Sequence, residues 1–182
     1  DAETSSCARL QVDPKGVLQF KTNQGKVTLV ASDEVEIFGA LKLDGTKSDR
    51  DSLELRLTGA TPEKRRLRVA KGGSLLLYGK PGLADGKKNV TLHAVSPEND
   101  AKNSSAEVLV EGPAAIDWQR ASLRNVRLTV KQIDNTGART NERCQLIDNR
   151  WEGMPRIALH NCDSVVITRN ELSYAGETVL QE

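Results

Sequence analysis

Aromatic residues are scarce in this 182-residue chain, at 3% of the total: two Trp, two Tyr and two Phe. That excludes a thick core built around large rings. Burial falls to Leu, Val, Ile and Ala, which fill narrow, regular layers. Net charge is missing too. Twenty-six Lys and Arg stand against twenty-five Asp and Glu, leaving +1, with no basic stripe of the kind a nucleic-acid binder carries, so no nucleic-acid partner is expected. No apolar run nears the ~18 residues of a membrane span, and none is expected. Cys7, Cys144 and Cys162 are odd in number and far apart, which gives neither a disulfide framework nor a zinc pattern. Idle thiols are the expectation, with a Cys144–Cys162 bridge as the alternative. The opening Asp-Ala-Glu-Thr-Ser-Ser shows no signal peptide and reads as a mature or trimmed terminus.

What the chain does have is short apolar runs, such as Val27–Val30, Leu53–Leu57, Leu75–Tyr78, Val90–Val95 and Val126–Val130. Gly, Asn, Asp, Lys and Pro separate them, and no sustained helical stripe competes, so the class is all-β. Taken in threes, the runs restart at Val17, Leu53, Val90, Val126 and Val165, at spacings of 36, 37, 36 and 39. A shorter repeat closes the chain: Leu146-Ile147-Asp148-Asn149-Arg150-Trp151 against Ile167-Thr168-Arg169-Asn170-Glu171-Leu172, 21 residues on. Coils of three strands stacked one strand spacing apart, roughly 4.8 Å, would place equivalent residues in columns. Asn at a turn then takes the left-handed conformation, and its amide bonds to the Asn of the next coil. The expected fold is a single-stranded right-handed parallel β-helix of about five rungs, forming one domain over 1–182. A β-sandwich of short strands is the alternative.

The stretch Leu159-His160-Asn161-Cys162-Asp163-Ser164-Val165-Val166-Ile167-Thr168-Arg169-Asn170-Glu171-Leu172 resembles the repeats of the pectin-lyase-like right-handed β-helix superfamily. The likeness holds over Cys144–Gly176, about a fifth of the chain. Val35–Leu41 and Gly72–Gly79 are similar to the glycine-bearing strand layers that lead into such helices in some surface glycan-processing proteins. The resemblance implies an exported protein and a polysaccharide partner. A β-helix must also cover its end rungs. Asp1–Arg9 is expected to form part of an N-terminal cap. Glu177–Glu182 reads as one more strand, uncovered over 178–182, which suggests a fragment of a longer protein or an end that associates with a partner chain.

On this register the polar inserts Thr58–Arg66, Ser96–Ser105 and Lys131–Arg143 fall between first and second strands and pile on one edge. Insertions on one face of a solenoid often bind ligands there. The candidate ligand-binding residues on that edge are Glu63, Lys64, Arg65, Glu98, Asp100, Asp134, Arg139 and Glu142. Trp118 is added as a ring that stacks on sugars. Trp151 shares a column with Leu172 and is assigned to the core. Asn89 and Asn103 begin glycosylation triplets.

Lyases on the resembled fold use a Lys or Arg base beside calcium held by carboxylates, and hydrolases use paired Asp. The sequence has no Asp-Asp dyad, and its only acidic neighbours are Asp33-Glu34. Arg156, His160, Asp148, Arg169 and Glu171 lie near the recognisable coils. His93 and His160 are too far apart in sequence to suggest a metal site or triad, so catalytic residues stay unassigned and neither metal nor cofactor is expected. The leading expectation is a non-catalytic binding or scaffold module. A polysaccharide lyase or glycoside hydrolase and a structural stalk or adhesin segment are the alternatives.

Overall fold

Alternation makes the strands. In Ser74–Tyr78, Leu75 and Leu77 are buried while Leu76 and Tyr78 face outward, as in a strand with one side on a core. The computed structural model describes residues 2–21, 25–48, 50–96, 105–131, 144–153, 155–160, 162 and 165–174. Their strands are laid down three to a coil. The first coil holds β1 (Ala2–Cys7), β2 (Leu10–Val12) and β3 (Val17–Lys21), and the second holds β4 (Lys26–Ala31), β5 (Val35–Ile37) and β6 (Ala40–Asp44). In the third are β7 (Ser52–Leu57), β8 (Leu67–Val69) and β9 (Ser74–Tyr78), followed by β10 (Val90–Ala94), β11 (Ala106–Glu111) and β12 (Ala115–Gln119). The fifth has β13 (Ser122–Arg124), β14 (Val126–Lys131) and β15 (Cys144–Ile147), and the sixth β16 (Arg150–Gly153), β17 (Arg156–His160) and β18 (Val165–Thr168). Strand β19 (Glu171–Tyr174) begins a seventh coil.

Three sheets result. The first runs β1-β4-β7-β10-β13-β16-β19, the second β2-β5-β8-β11-β14-β17 and the third β3-β6-β9-β12-β15-β18. Every pairing is parallel. This is a parallel β-helix. A sandwich, which is built from antiparallel sheets, is excluded. Among the described residues the only helix is the short 3-10 turn Ala84–Gly86, and no helix is long and apolar enough to cross a membrane.

The core is a bundle of columns. Leu29, Leu55, Leu92, Leu123, Trp151 and Leu172 stack along the first sheet. Val35, Leu67, Val108, Leu128 and Ile157 stack along the second, and Leu41, Leu75, Ile116, Cys144 and Val165 along the third. Each fully buried aliphatic chain contributes roughly 1.5–3 kcal/mol, so a narrow interior suffices without large rings. Trp118 and Trp151 are the exception. Both are fully buried, with ring centroids 5.9 Å apart at 42°.

The corners explain the small and polar residues. At the turn from second to third sheet, Gly39 passes so close to the preceding coil that a Cβ would sit 2.3 Å from the carbonyl oxygens of Asp13 and Gly16. At the turn from third to first sheet, Arg120, Asp148 and Arg169 take positive φ of 57°, 56° and 53°. The residue after each of the last two is the ladder Asn. Asn149 donates to the side-chain oxygen of Asn170 at 3.0 Å and to the Trp118 carbonyl at 2.9 Å, and accepts from the Ala121 N–H at 2.9 Å. The ladder exists, but the left-handed residue is the one before the Asn. Among the described asparagines only Asn125, at the turn from first to second sheet, is left-handed itself, with φ 56°.

The register differs from the sequence expectation. Ala2 pairs Lys26, Lys26 pairs Ser52, Leu53 pairs Val90, Thr91 pairs Ser122, Ser122 pairs Arg150 and Arg150 pairs Glu171, giving steps of 24, 26, 37, 31, 28 and 21. Of the five restarts, only Leu53 and Val90 pair directly. Val126 lies in the second sheet, and Val17 and Val165 lie in the third. Inserts of unequal length at different corners imitate a constant period across unlike strands. The 21-residue repeat is correct: Leu146 pairs Ile167 and Trp151 pairs Leu172. Among the described residues the stack has six complete coils. Residues Ala2–Cys7, expected in a cap, are its first strand, and Glu177–Glu182 lies outside the described residues.

Candidate functional site

The outward face of the second sheet divides into two halves of different electrostatic character. Over the early coils it is an ion-pair ladder. Arg9 pairs with Glu36, Arg68 reaches Glu36 at 3.3 Å, and Arg68 Nε donates to Glu111 at 2.6 Å. These contacts, that to Glu111 foremost, raise the Arg68 guanidinium above its ordinary value. Each charge here has a partner.

Over β11, β14 and β17 the ladder stops. Register places Glu107, Arg127 and Arg156 in one column, Leu109, Thr129 and Ala158 in the next, and Glu111, Lys131 and His160 in the third. The side chains along the middle column shorten toward Ala158, while basic residues stand on either side. A groove of about 360 Å³ lies over this surface, reaching Thr129, Ala158 and His160. Its second wall is the Thr58–Arg66 loop, which brings in Pro62, Glu63 and Arg66. Arg66 Nε lies 3.4 Å from Glu107, and the Thr129 hydroxyl donates to Glu107 at 3.2 Å. Arg127 and Arg156 make no ion pair among the described residues. Two arginines on neighbouring strands, whose backbones lie roughly 4.8 Å apart, thus stand without an ion-pair partner among the described residues and suit an anion.

The sequence-predicted residues fall in unlike places. Glu63 is exposed on the groove rim, where its own backbone N–H, then the Thr61 hydroxyl, holds its carboxyl below the ordinary value. Lys64 is exposed on the same loop but does not line the groove. Arg65, expected on the ligand edge, is buried. Its guanidinium donates to the Gly59 carbonyl and, at 3.4 Å, to that of Ser105, tying the loop to the following coil. Burial lowers its pKa. Alternation carried back from inward Leu67 puts Arg66 out and Arg65 in, a signal present in the sequence. Trp118, expected to stack on sugars, is fully buried against Trp151. Glu98, Asp100, Asp134, Arg139 and Glu142 lie outside the described residues.

Nor do the three inserts share an edge. Thr58–Arg66 and Ser96–Ser105 both join first to second sheet, on adjacent coils, whereas Lys131–Arg143 joins second to third. Arg156 and His160, noticed only for their nearness to the clear coils, do reach the groove. Arg127 and Glu107 were missed, because only the true register aligns them.

The remaining candidates are structural. His93 Nδ1 lies 3.1 Å from Glu54, which also meets Lys26 at 3.1 Å and Arg56 at 3.0 Å. Asn89 is buried, donating to the carbonyls of Gly45 at 2.6 Å and Ser48 at 3.1 Å, so its amide is engaged where a glycan would attach. Asn103 lies outside the described residues. All three cysteines are free, so no Cys144–Cys162 bridge forms. Among the described residues no three His, Cys, Asp or Glu side chains converge as metal ligands.

No protein-family model, curated protein or solved structure matches the chain. What the groove can do follows from its own chemistry. A shallow channel with a short-chain floor and unpaired guanidiniums suits an extended ligand carrying carboxylates or sulfates.

Proposed function

We propose that this chain is a binding module for anionic polysaccharide, with the second-sheet groove as its site. The observation that carries the proposal is the pair Arg127 and Arg156, stacked by register and left without carboxylate partners among the described residues. Arginine presents a planar fork that matches carboxylate and sulfate oxygens, and its weak hydration lowers the cost of exchange. A ligand lying along the solenoid axis would meet both. The stacked coils and the Asn149–Asn170 ladder support the likeness to the pectin-lyase-like superfamily, and export goes with the same proposal.

Affinity electrophoresis and calorimetry with an acidic polysaccharide and its carboxyl-reduced counterpart test this. The acidic form binds, the reduced form does not, and Arg127→Ala or Arg156→Ala each weakens binding by about tenfold. Affinity also falls as salt rises. Equal binding of both polymers, or none, overturns the proposal.

A polysaccharide lyase or hydrolase is the second reading, favoured because Glu63 and Glu107 share the cleft with three arginines. Against a hydrolase, the carboxyl of Glu63 is held low, which suits a base, whereas a glycosidase acid needs a raised value. Release of reducing or unsaturated ends from the bound polymer would establish it.

A further inference from the structure

The arginine column ends abruptly. Moving from the sixth coil toward the first, one register position carries Arg156, then Arg127, then Glu107. A polyanion following it meets two guanidiniums with no ion pair among the described residues, and then a carboxylate. Glu107 is fixed there by the Thr129 hydroxyl at 3.2 Å and by Arg66 at 3.4 Å. Arg66, the next cation on the track, is thereby engaged by Glu107. In the neighbouring column Arg68 is shared between Glu36 and Glu111, so it does not replace Arg66.

We propose that Glu107 is the stop of an anion track and sets the length of charged ligand that the groove reads. Two adjacent anionic groups are held by Arg127 and Arg156, and a third would be driven against a carboxylate with no free partner. Glu107 is thus a specificity residue, and its role rests on the groove being the ligand site.

Calorimetry on the full chain with oligouronates of increasing length, and with a matching sulfated series, tests the stop. The two series separate carboxylate from sulfate as the recognised group. In the wild type, affinity rises up to the second charged unit and then levels. Glu107→Gln keeps the acceptor for Thr129 while removing the charge, so its third charged unit adds about threefold in affinity. Continued gain beyond the second unit in the wild type, or levelling at the same length in Glu107→Gln, overturns the stop while leaving the groove in place. Absence of binding to either series at any length removes both.

Discussion

Replacing Asn149 by Ala tests the stack where it is most exacting. The side chain is 1% exposed and serves three partners: the Ala121 N–H, the Trp118 carbonyl and the Asn170 amide. Truncation orphans one buried backbone donor and one acceptor, at about 1–3 kcal/mol each, and loses the link to Asn170 as well. The expected cost is about 3–5 kcal/mol, a large share of the 5–15 kcal/mol typical of a domain. Asn170 is the internal control. It makes the same kind of bonds, to the carbonyls of Leu146 at 2.7 Å and Thr168 at 3.2 Å, but is only half-buried. It also accepts from the Asn149 side chain at 3.0 Å and the Asn149 N–H at 3.1 Å; water can replace part of this set, so Asn170→Ala costs only about 1–2 kcal/mol. Urea unfolding followed by the fluorescence of Trp118 and Trp151 and by circular dichroism measures both variants. An Asn149→Ala cost below that of Asn170→Ala would refute the view that the buried ladder, rather than hydrophobic stacking alone, fixes this corner.

Three further outcomes are expected. Contacts with His93, then with Lys26 and Arg56, hold the Glu54 carboxyl at about 2, below its value in the unfolded chain. That contributes stability on the order of 2–3 kcal/mol, present above the unfolded value of about 4.5 and lost as pH falls through about 2; Glu54→Gln should be less stable than wild type at neutral pH and converge with it in acid melts. Burial pushes the Cys144 thiol up to about 12, so mass spectrometry after mild alkylation should find it unlabelled in the native protein, with labelling appearing only in denaturant. Trp118 Nε1 is buried without a hydrogen-bond partner among the described residues. Trp118→Phe relieves that cost while opening a small void, and should change stability by less than about 1 kcal/mol, against about 3–5 for Trp118→Ala, as thermal melts would show.

How much of this was legible follows from where the inserts fall. The turn from Cys144 onward is nearly bare, so Leu146 and Ile167, Asn149 and Asn170, and Trp151 and Leu172 align by eye and also in space. Earlier coils carry unequal inserts at different corners, and apolar triplets say nothing about which corner a loop occupies. Val126 therefore passed as the successor of Val90 although it lies in the next sheet. The core survived this error because any inward Leu or Val resembles any other. The groove did not, since it depends on which charged residues are neighbours across strands. Arg127 became interesting only once paired with Arg156 and Glu107. Arg65 and Arg66 differ in sequence by one position and in space by a whole face.

The unequal steps between coils carry a consequence of their own. A bare turn of this solenoid needs 21 residues, as between Arg150 and Glu171, and everything above that number is surplus to the scaffold. The surplus in Thr58–Arg66 hangs over the groove, while the Leu67, Val108 and Leu128 column beneath keeps its spacing. Lengthening or trimming that overhang would reshape one wall of the channel and leave the foundation untouched. Such an arrangement lets recognition change by small steps in a chain whose interior tolerates almost none.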